Sequence, residues 1–172
     1  DKVRDINISD RNLLKGTSDE WEEITIPKNS YGTKLKYFSL EELSLKPGDS
    51  VTLSEEIDNT IDDFDTGVSI FIGAPREDRK SYIVKADSKQ VKLGDSKTVS
   101  TTITIPEKAT EICIRLTRND KGVNKVVNVK DQKLNRGTRA KPWTPAPEDL
   151  VTKQELDKKL DVDLSGYATE DY

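Results

Sequence analysis

The sequence predicts an all-β fold, an antiparallel two-sheet β-sandwich with a C-terminal helical segment, and three observations carry that prediction. Short apolar runs alternate with period two, turn residues bound them, and no apolar stripe of helical period appears before residue 150. Ile24 and Ile26 form a first run that ends at Pro27, which lacks the N–H a ladder needs. Val51, Leu53 and Ile57 follow the turn signal Lys46-Pro47-Gly48-Asp49, and Val68, Ile70 and Ile72 lie between Gly67 and Gly73. Val99, Thr101, Ile103 and Ile105 alternate with polar residues up to Pro106, and Ile112, Ile114 and Leu116 resume the pattern after Glu107-Lys108-Ala109. This pair reads as a hairpin. Val127 and Val129 then lead into Leu134. One face inward and one face wet is the habit of antiparallel sheets, and strands at this spacing suggest a sandwich or jelly roll.

After Leu150 the pattern changes. Thr152 and Glu155 form a capping box, Val151 and Leu156 a hydrophobic staple, and Leu156, Leu160 and Leu164 share one face. So narrow and short a stripe is marginal alone, because isolated helices below about 12–15 residues are unstable in water. It either packs on its own domain or begins a coiled coil, and the coiled coil is the preferred expectation.

Composition limits the chemistry. With 172 residues, 33% of them hydrophobic and 35% charged, the chain suits one domain with a small core under a charged surface. No apolar run approaches the roughly 20 residues of a membrane-spanning helix. The chain has no His, which removes His-based triads, histidine general bases and His-containing zinc sites. Its single Cys, Cys113 in Ile112-Cys113-Ile114, forms no intramolecular disulfide and reads as a strand residue, buried or half-buried. Met is absent even at position 1, which predicts a piece of a longer polypeptide.

Two separated segments carry a family resemblance. Asn12-Leu13-Leu14-Lys15-Gly16-Thr17 near the start pairs with Lys133-Leu134-Asn135-Arg136-Gly137 and Lys141-Pro142-Trp143-Thr144-Pro145-Ala146-Pro147-Glu148-Asp149 near the end. Together they resemble the carbohydrate-binding-type jelly-roll modules of tail and baseplate proteins of phages that infect Gram-positive bacteria. Arg136 departs from the acidic or similar polar residue usual there. Gly166-Tyr167-Ala168-Thr169-Glu170-Asp171-Tyr172 also looks like the short repeats that precede fibre segments in phage tails. The resemblance implies a galactose-binding-like jelly roll over residues 12–149, a leading segment at 1–11, and a helical linker or the start of a coiled-coil stalk at 150–172. It further implies a virion location, other tail or baseplate subunits as partners, and a trimeric parent. Trp143, framed by Pro142, Pro145 and Pro147, reads as the cap of a fixed strap.

The expected activity is non-catalytic binding of a host cell-wall polysaccharide; the alternative is a purely structural spacer. Sugar recognition uses an aromatic face flanked by paired polar groups. The candidates are Trp21, Tyr31, Tyr37 and Tyr82, with Phe38 as a further aromatic and Arg115 as the hydrogen-bonding cation. Asp58, Asp62, Asp63 and Asp65 in the acidic stretch Glu55–Asp65 are weak candidates for a structural calcium, though their spacing matches no EF-hand loop. The basic run from Arg118 to Lys141 reads as a docking surface for an anionic polymer or subunit, or as a charged strand edge that discourages pairing. A nucleic acid is not expected, since the net charge is −4 and no aromatic interleaves the basic residues before Trp143. An enzyme is not expected either, because nothing here fixes two carboxylates across a cleft.

Overall fold

The computed structural model describes residues 10–149; the helix read from Thr152 onward lies outside the described residues. Eight strands follow in order: β1 (Glu22–Ile26), β2 (Gly32–Ser39), β3 (Ser50–Asp58), β4 (Val68–Pro75), β5 (Tyr82–Asp87), β6 (Ser96–Thr104), β7 (Glu111–Arg118) and β8 (Lys125–Arg136). They form two antiparallel sheets, one ordered β1-β8-β3-β6 (sheet A) and the other β2-β7-β4-β5 (sheet B). Between the sheets lies one apolar core. Ile24, Ile26, Val51, Leu53, Ile57, Ile103, Val127, Val129 and Leu134 enter it from sheet A, and Val68, Ile70, Ile72, Ala74, Ile112, Ile114 and Leu116 from sheet B. These are the alternating positions of the sequence, so the predicted β-sandwich is the observed fold.

The predicted hairpin is not one. β6 pairs with β3 along its whole length, from Ser50↔Thr104 to Asp58↔Ser96, whereas β7 lies between β2 and β4 in the other sheet. Ile105 and Ala109, both buried, carry the connection across the core. Alternation shows which side of a strand is apolar, but not which strand it pairs with. β2 and β5, the edges of sheet B, have no counterpart among the apolar runs. In β2 the period breaks at Lys34 and Leu35, two residues opposite the single residue Arg115.

A matching bulge interrupts sheet A. Ser54 pairs with Lys133 and Glu56 with Lys130, so Glu55 faces two β8 residues, Asp131 and Gln132. Lys34 and Asp131 each take a left-handed backbone at φ 59°, the conformation that lets a strand accept an extra residue.

The two resembling segments meet. Leu13 N donates to Leu134 O at 2.8 Å. The Asn12 amide nitrogen donates to Gln132 O and Thr144 O at 3.0 Å each, and its oxygen accepts from Leu14 N and Leu134 N. Trp143, half-buried, donates from Nε1 to Thr17 Oγ1 at 3.0 Å. Residues 138–149 therefore run as a strap beside β8, where Lys133 Nζ reaches Pro142 O and Thr144 Oγ1.

Both charge runs are reassigned. Glu55, Glu56 and Asp58 belong to β3 and are not loop residues. In the basic run, Arg118, Lys125 and Lys133 are buried, and β8 lies inside its sheet between β1 and β3. Neither a continuous basic docking surface nor an exposed strand edge exists there. The Arg118 guanidinium instead binds the carbonyls of Ser30, Pro27 and Val123, which offset the cost of burying it.

Candidate functional site

Sheet B turns the second half of its alternation outward. Ser69, Phe71 and Gly73 of β4 lie beside Thr117, Arg115 and Cys113 of β7, and Tyr37 of β2 lies beside Cys113. Asp87 and Lys85 of β5 continue the rows from Phe71 and Gly73.

At one end of this face is an open hollow of about 310 Å³, lined among others by Tyr31, Ser69, Asp87, Gln90, Arg115 and Thr117. Tyr31 is 52% exposed and stands on the loop before β2, which Arg118 fixes; its own carbonyl accepts from Arg118 N at 2.8 Å. Ser69 Oγ and Thr117 Oγ1 share a hydrogen bond of 2.7 Å at the floor. Arg115 crosses the face with its guanidinium carbon 4.6 Å from the Phe71 ring centre. The hollow thus offers one aromatic ring, a carboxylate, an amide, two hydroxyls and a guanidinium, the set that pairs with sugar hydroxyls.

The other end is aromatic and already occupied by its own cations. Tyr82 meets Phe71 edge to face, with ring centres 5.1 Å apart at 63°. Gly73 makes room for this, because a Cβ there would lie 2.9 Å from Tyr82 Cδ1. Arg79 covers Tyr37 at 3.9 Å and holds Glu111 in a two-pronged ion pair of 2.7 and 3.0 Å. Burial raises the Tyr82 hydroxyl and the Cys113 thiol above their ordinary values, so neither is an activated nucleophile.

Tyr31, Tyr37, Tyr82 and Arg115 therefore share the outer side of sheet B. Trp21 does not. Its ring lies under Lys130 Nζ at 4.5 Å, and Lys130 in turn approaches Glu56 at 3.9 Å, on the other sheet. Phe38 packs against the core. Sequence reasoning missed Phe71, Arg79, Asp87, Gln90 and Glu111. Phe71 was legible, since a residue between inward Ile70 and Ile72 points outward; Arg79 and Gln90 come from loops that no period describes.

The acidic candidates do not gather. Asp58 accepts from Thr60 Oγ1, and Asp62 is taken by Lys125 Nζ at 2.5 Å and Val126 N at 2.8 Å. Among the described residues no group of three or more Asp, Glu or Cys side chains could hold a metal ion. The calcium expectation for Asp58, Asp62, Asp63 and Asp65 is corrected accordingly: the fully buried Lys125 supplies the positive charge that Asp62 faces.

No family model and no curated protein matches the chain. Among solved structures, the tripod from the baseplate of bacteriophage Tuc2009 is similar with a TM-score of 0.51 at 17% identity, over 81% of this chain and 60% of that one. The C-terminal domain of EclA, described as a sugar-binding protein, gives 0.48 at 15%, over 71% and 81%. The CBM22-1 xylan-binding domain of Paenibacillus barcinonensis Xyn10C gives 0.46 at 8%, over 76% and 94%. The likeness to the tripod shows a shared jelly-roll sandwich, as the segments at Asn12 and Trp143 implied; the chain spans 60% of that tripod chain.

Proposed function

We propose that this chain is a non-catalytic saccharide-binding module of a phage tail or baseplate, with residues 12–149 as the module and the hollow at Tyr31 as its site. One observation carries the reading: Tyr31 from the loop before β2, Asp87 and Gln90 from the end of β5 and the loop after it, and Arg115 from β7 converge on one open hollow of sheet B. The structures similar in fold, among them a phage baseplate tripod and sugar-binding modules, agree with it. Lys121 rests 4.5 Å from the Tyr31 ring. An exposed contact of that kind is worth about 0.5–1 kcal/mol, little enough for a sugar ring to displace. A single such site binds weakly, and several copies on one virion multiply its effect.

The competing reading is a structural spacer, and a specific observation favours it. Trp21, Tyr31, Tyr37 and Phe71 each carry a cation of this chain on or near the ring face. The experiment is retention of a multivalent display of the labelled chain on purified Gram-positive cell walls, beside a Tyr31→Ala, Asp87→Ala variant of matched thermal stability. Retention that the variant loses supports the saccharide site. No retention by the parent, or equal retention by both, leaves the spacer.

A further inference from the structure

The charges on the outer side of sheet B are left unbalanced by the protein's own contacts. Three strands set them in register: Arg115 of β7 lies beside Phe71 of β4, and Phe71 beside Asp87 of β5. Neighbouring strands stand about 4.8 Å apart, so Arg115 and Asp87 rise from backbones about 10 Å apart with an aromatic ring between them. The Arg115 guanidinium leans over that ring, its carbon 4.6 Å from the centre. Gly32 of β2 leaves room for the rest of the side chain, because a Cβ there would lie 3.2 Å from Arg115 Cδ. Apolar packing therefore holds Arg115 in place, and its charge is left over.

Among the described residues Arg115 makes no ion pair and no hydrogen bond, and its Nε is buried without a partner. Glu111, the other acid of this face, is taken by Arg79 at 2.7 and 3.0 Å. Arg118, which also lines the hollow, is satisfied by three backbone carbonyls that supply hydrogen bonds but no net charge. Asp120 and Asp62 act on Arg118 electrostatically, yet neither lines the hollow. Lys121 rests on Tyr31, and Lys85 projects from the same side of β5 as Asp87. Asp87 is the one carboxylate among the described residues of the lining, and it faces this group of cations alone.

We propose that the saccharide taken by the Tyr31 hollow carries a fixed negative charge, a carboxylate or a phosphodiester, bound by the Arg115 guanidinium while Asp87 and Gln90 bond neighbouring hydroxyls; this rests on the hollow being the saccharide site. A guanidinium presents its N–H groups as a rigid fork that matches a carboxylate or phosphate with two parallel hydrogen bonds. A neutral hydroxyl would leave that charge uncompensated. The chain as a whole carries −4 and so repels an anionic polymer at long range, which makes recognition of this sign a property of the local site. The cation on Phe71 also gains a role: the ring is the support of Arg115 and not a stacking surface for the sugar.

The test follows retention of the multivalent 172-residue chain on purified Gram-positive walls before and after two chemical edits. Aqueous hydrofluoric acid cleaves phosphodiesters, and carbodiimide activation followed by borohydride reduces uronate carboxyls to alcohols. We expect one edit to lower retention about tenfold, the size of one charged hydrogen bond. Loss on the first assigns a phosphodiester source, loss on the second a uronate source, and either supports the proposal. Arg115→Gln, matched to the parent in thermal stability, should lose about as much, and its residual retention should be unchanged by the edits. Arg115→Lys should recover part of the loss, because it keeps the charge without the fork. Retention unchanged by both edits overturns the proposal, and so does equal proportional loss in parent and Arg115→Gln, which would report removal of the polymer and not of its charge. The edits on the parent need no variant, so they decide the matter even where Arg115→Gln folds poorly. The Tyr31→Ala, Asp87→Ala variant reports the saccharide site independently, so a charge-indifferent site is told apart from no site; no retention on any untreated wall overturns both.

Discussion

Asn12 accepts the backbone N–H of Leu134 at 3.1 Å, across 122 positions of sequence. The same side chain donates to Thr17, Gln132 and Thr144 and also accepts from Leu14, so one amide joins the leading segment, β8 and the strap. Asn12→Ala leaves buried backbone groups without partners, each costing about 1–3 kcal/mol. We expect a loss of about 3 kcal/mol in urea unfolding, with Asn12→Asp also destabilising because a carboxylate cannot donate to the carbonyls of Gln132 and Thr144.

Asp62 is the counter-charge of Lys125, whose side chain has no exposure. Burial acts to raise the Asp62 carboxyl, but hydrogen bonds from Lys125, Val126 and Phe64 outweigh it and hold the group below its ordinary value. Its stabilising contribution is therefore present above about pH 4 and lost as acid titrates it in the folded state. Asp62→Ala should cost about 3 kcal/mol, since it strands a buried ammonium, and should remove this part of the acid sensitivity in a pH series of thermal melts.

Glu55 works in the opposite direction. The unfolded chain releases its proton near 4.5, while the folded chain keeps it to about 8. Between those values the folded state binds more protons, so stability falls as pH rises, by at most about 5 kcal/mol over the window. Glu55→Gln should be the more stable protein at neutral and alkaline pH, and its denaturation midpoint should flatten where the parent's declines.

Gly73 has an ordinary backbone, so its role is space alone. A methyl group there would meet Tyr82 at 2.9 Å and Phe71 at 3.0 Å. Gly73→Ala should drive the two rings apart and cost about 1–3 kcal/mol, seen as a lower melting temperature and a changed near-ultraviolet dichroism from Tyr82.

Much of this structure was legible in the residues. Ile24 and Ile26, Val68, Ile70 and Ile72, and Ile112, Ile114 and Leu116 face the core as their alternation says, and the two resembling segments meet, Asn12 bonding Thr144 and Trp143 bonding Thr17. Pairing was not legible, because alternation in β6 and β7 is satisfied equally by one sheet or by two. Nor were the bulges: Lys34 has no preference for left-handed backbone, and Asp131, which tolerates it, is one of many Asp residues in the chain and sits inside an apparent strand run. Glu55 looked like one more acid in an acidic stretch, although its spacing from Leu53 and Ile57 placed it inside. Tyr31, Tyr37, Tyr82 and Arg115 share a side because two sheets, and not one, carry the strands, which also sends Trp21 elsewhere.

The strap brings residues 11 and 148 within an ion pair, and Gly16 N within 2.9 Å of Asp149 Oδ2. Mechanical tension applied at these two points would load the Asn12 amide, the Trp143 indole and these contacts one after another, like a zip, while every strand behind them stayed slack. Because the leading segment and the strap are clasped to each other, a pull at residues 11 and 148 is borne first by this clasp and only afterwards by the sandwich.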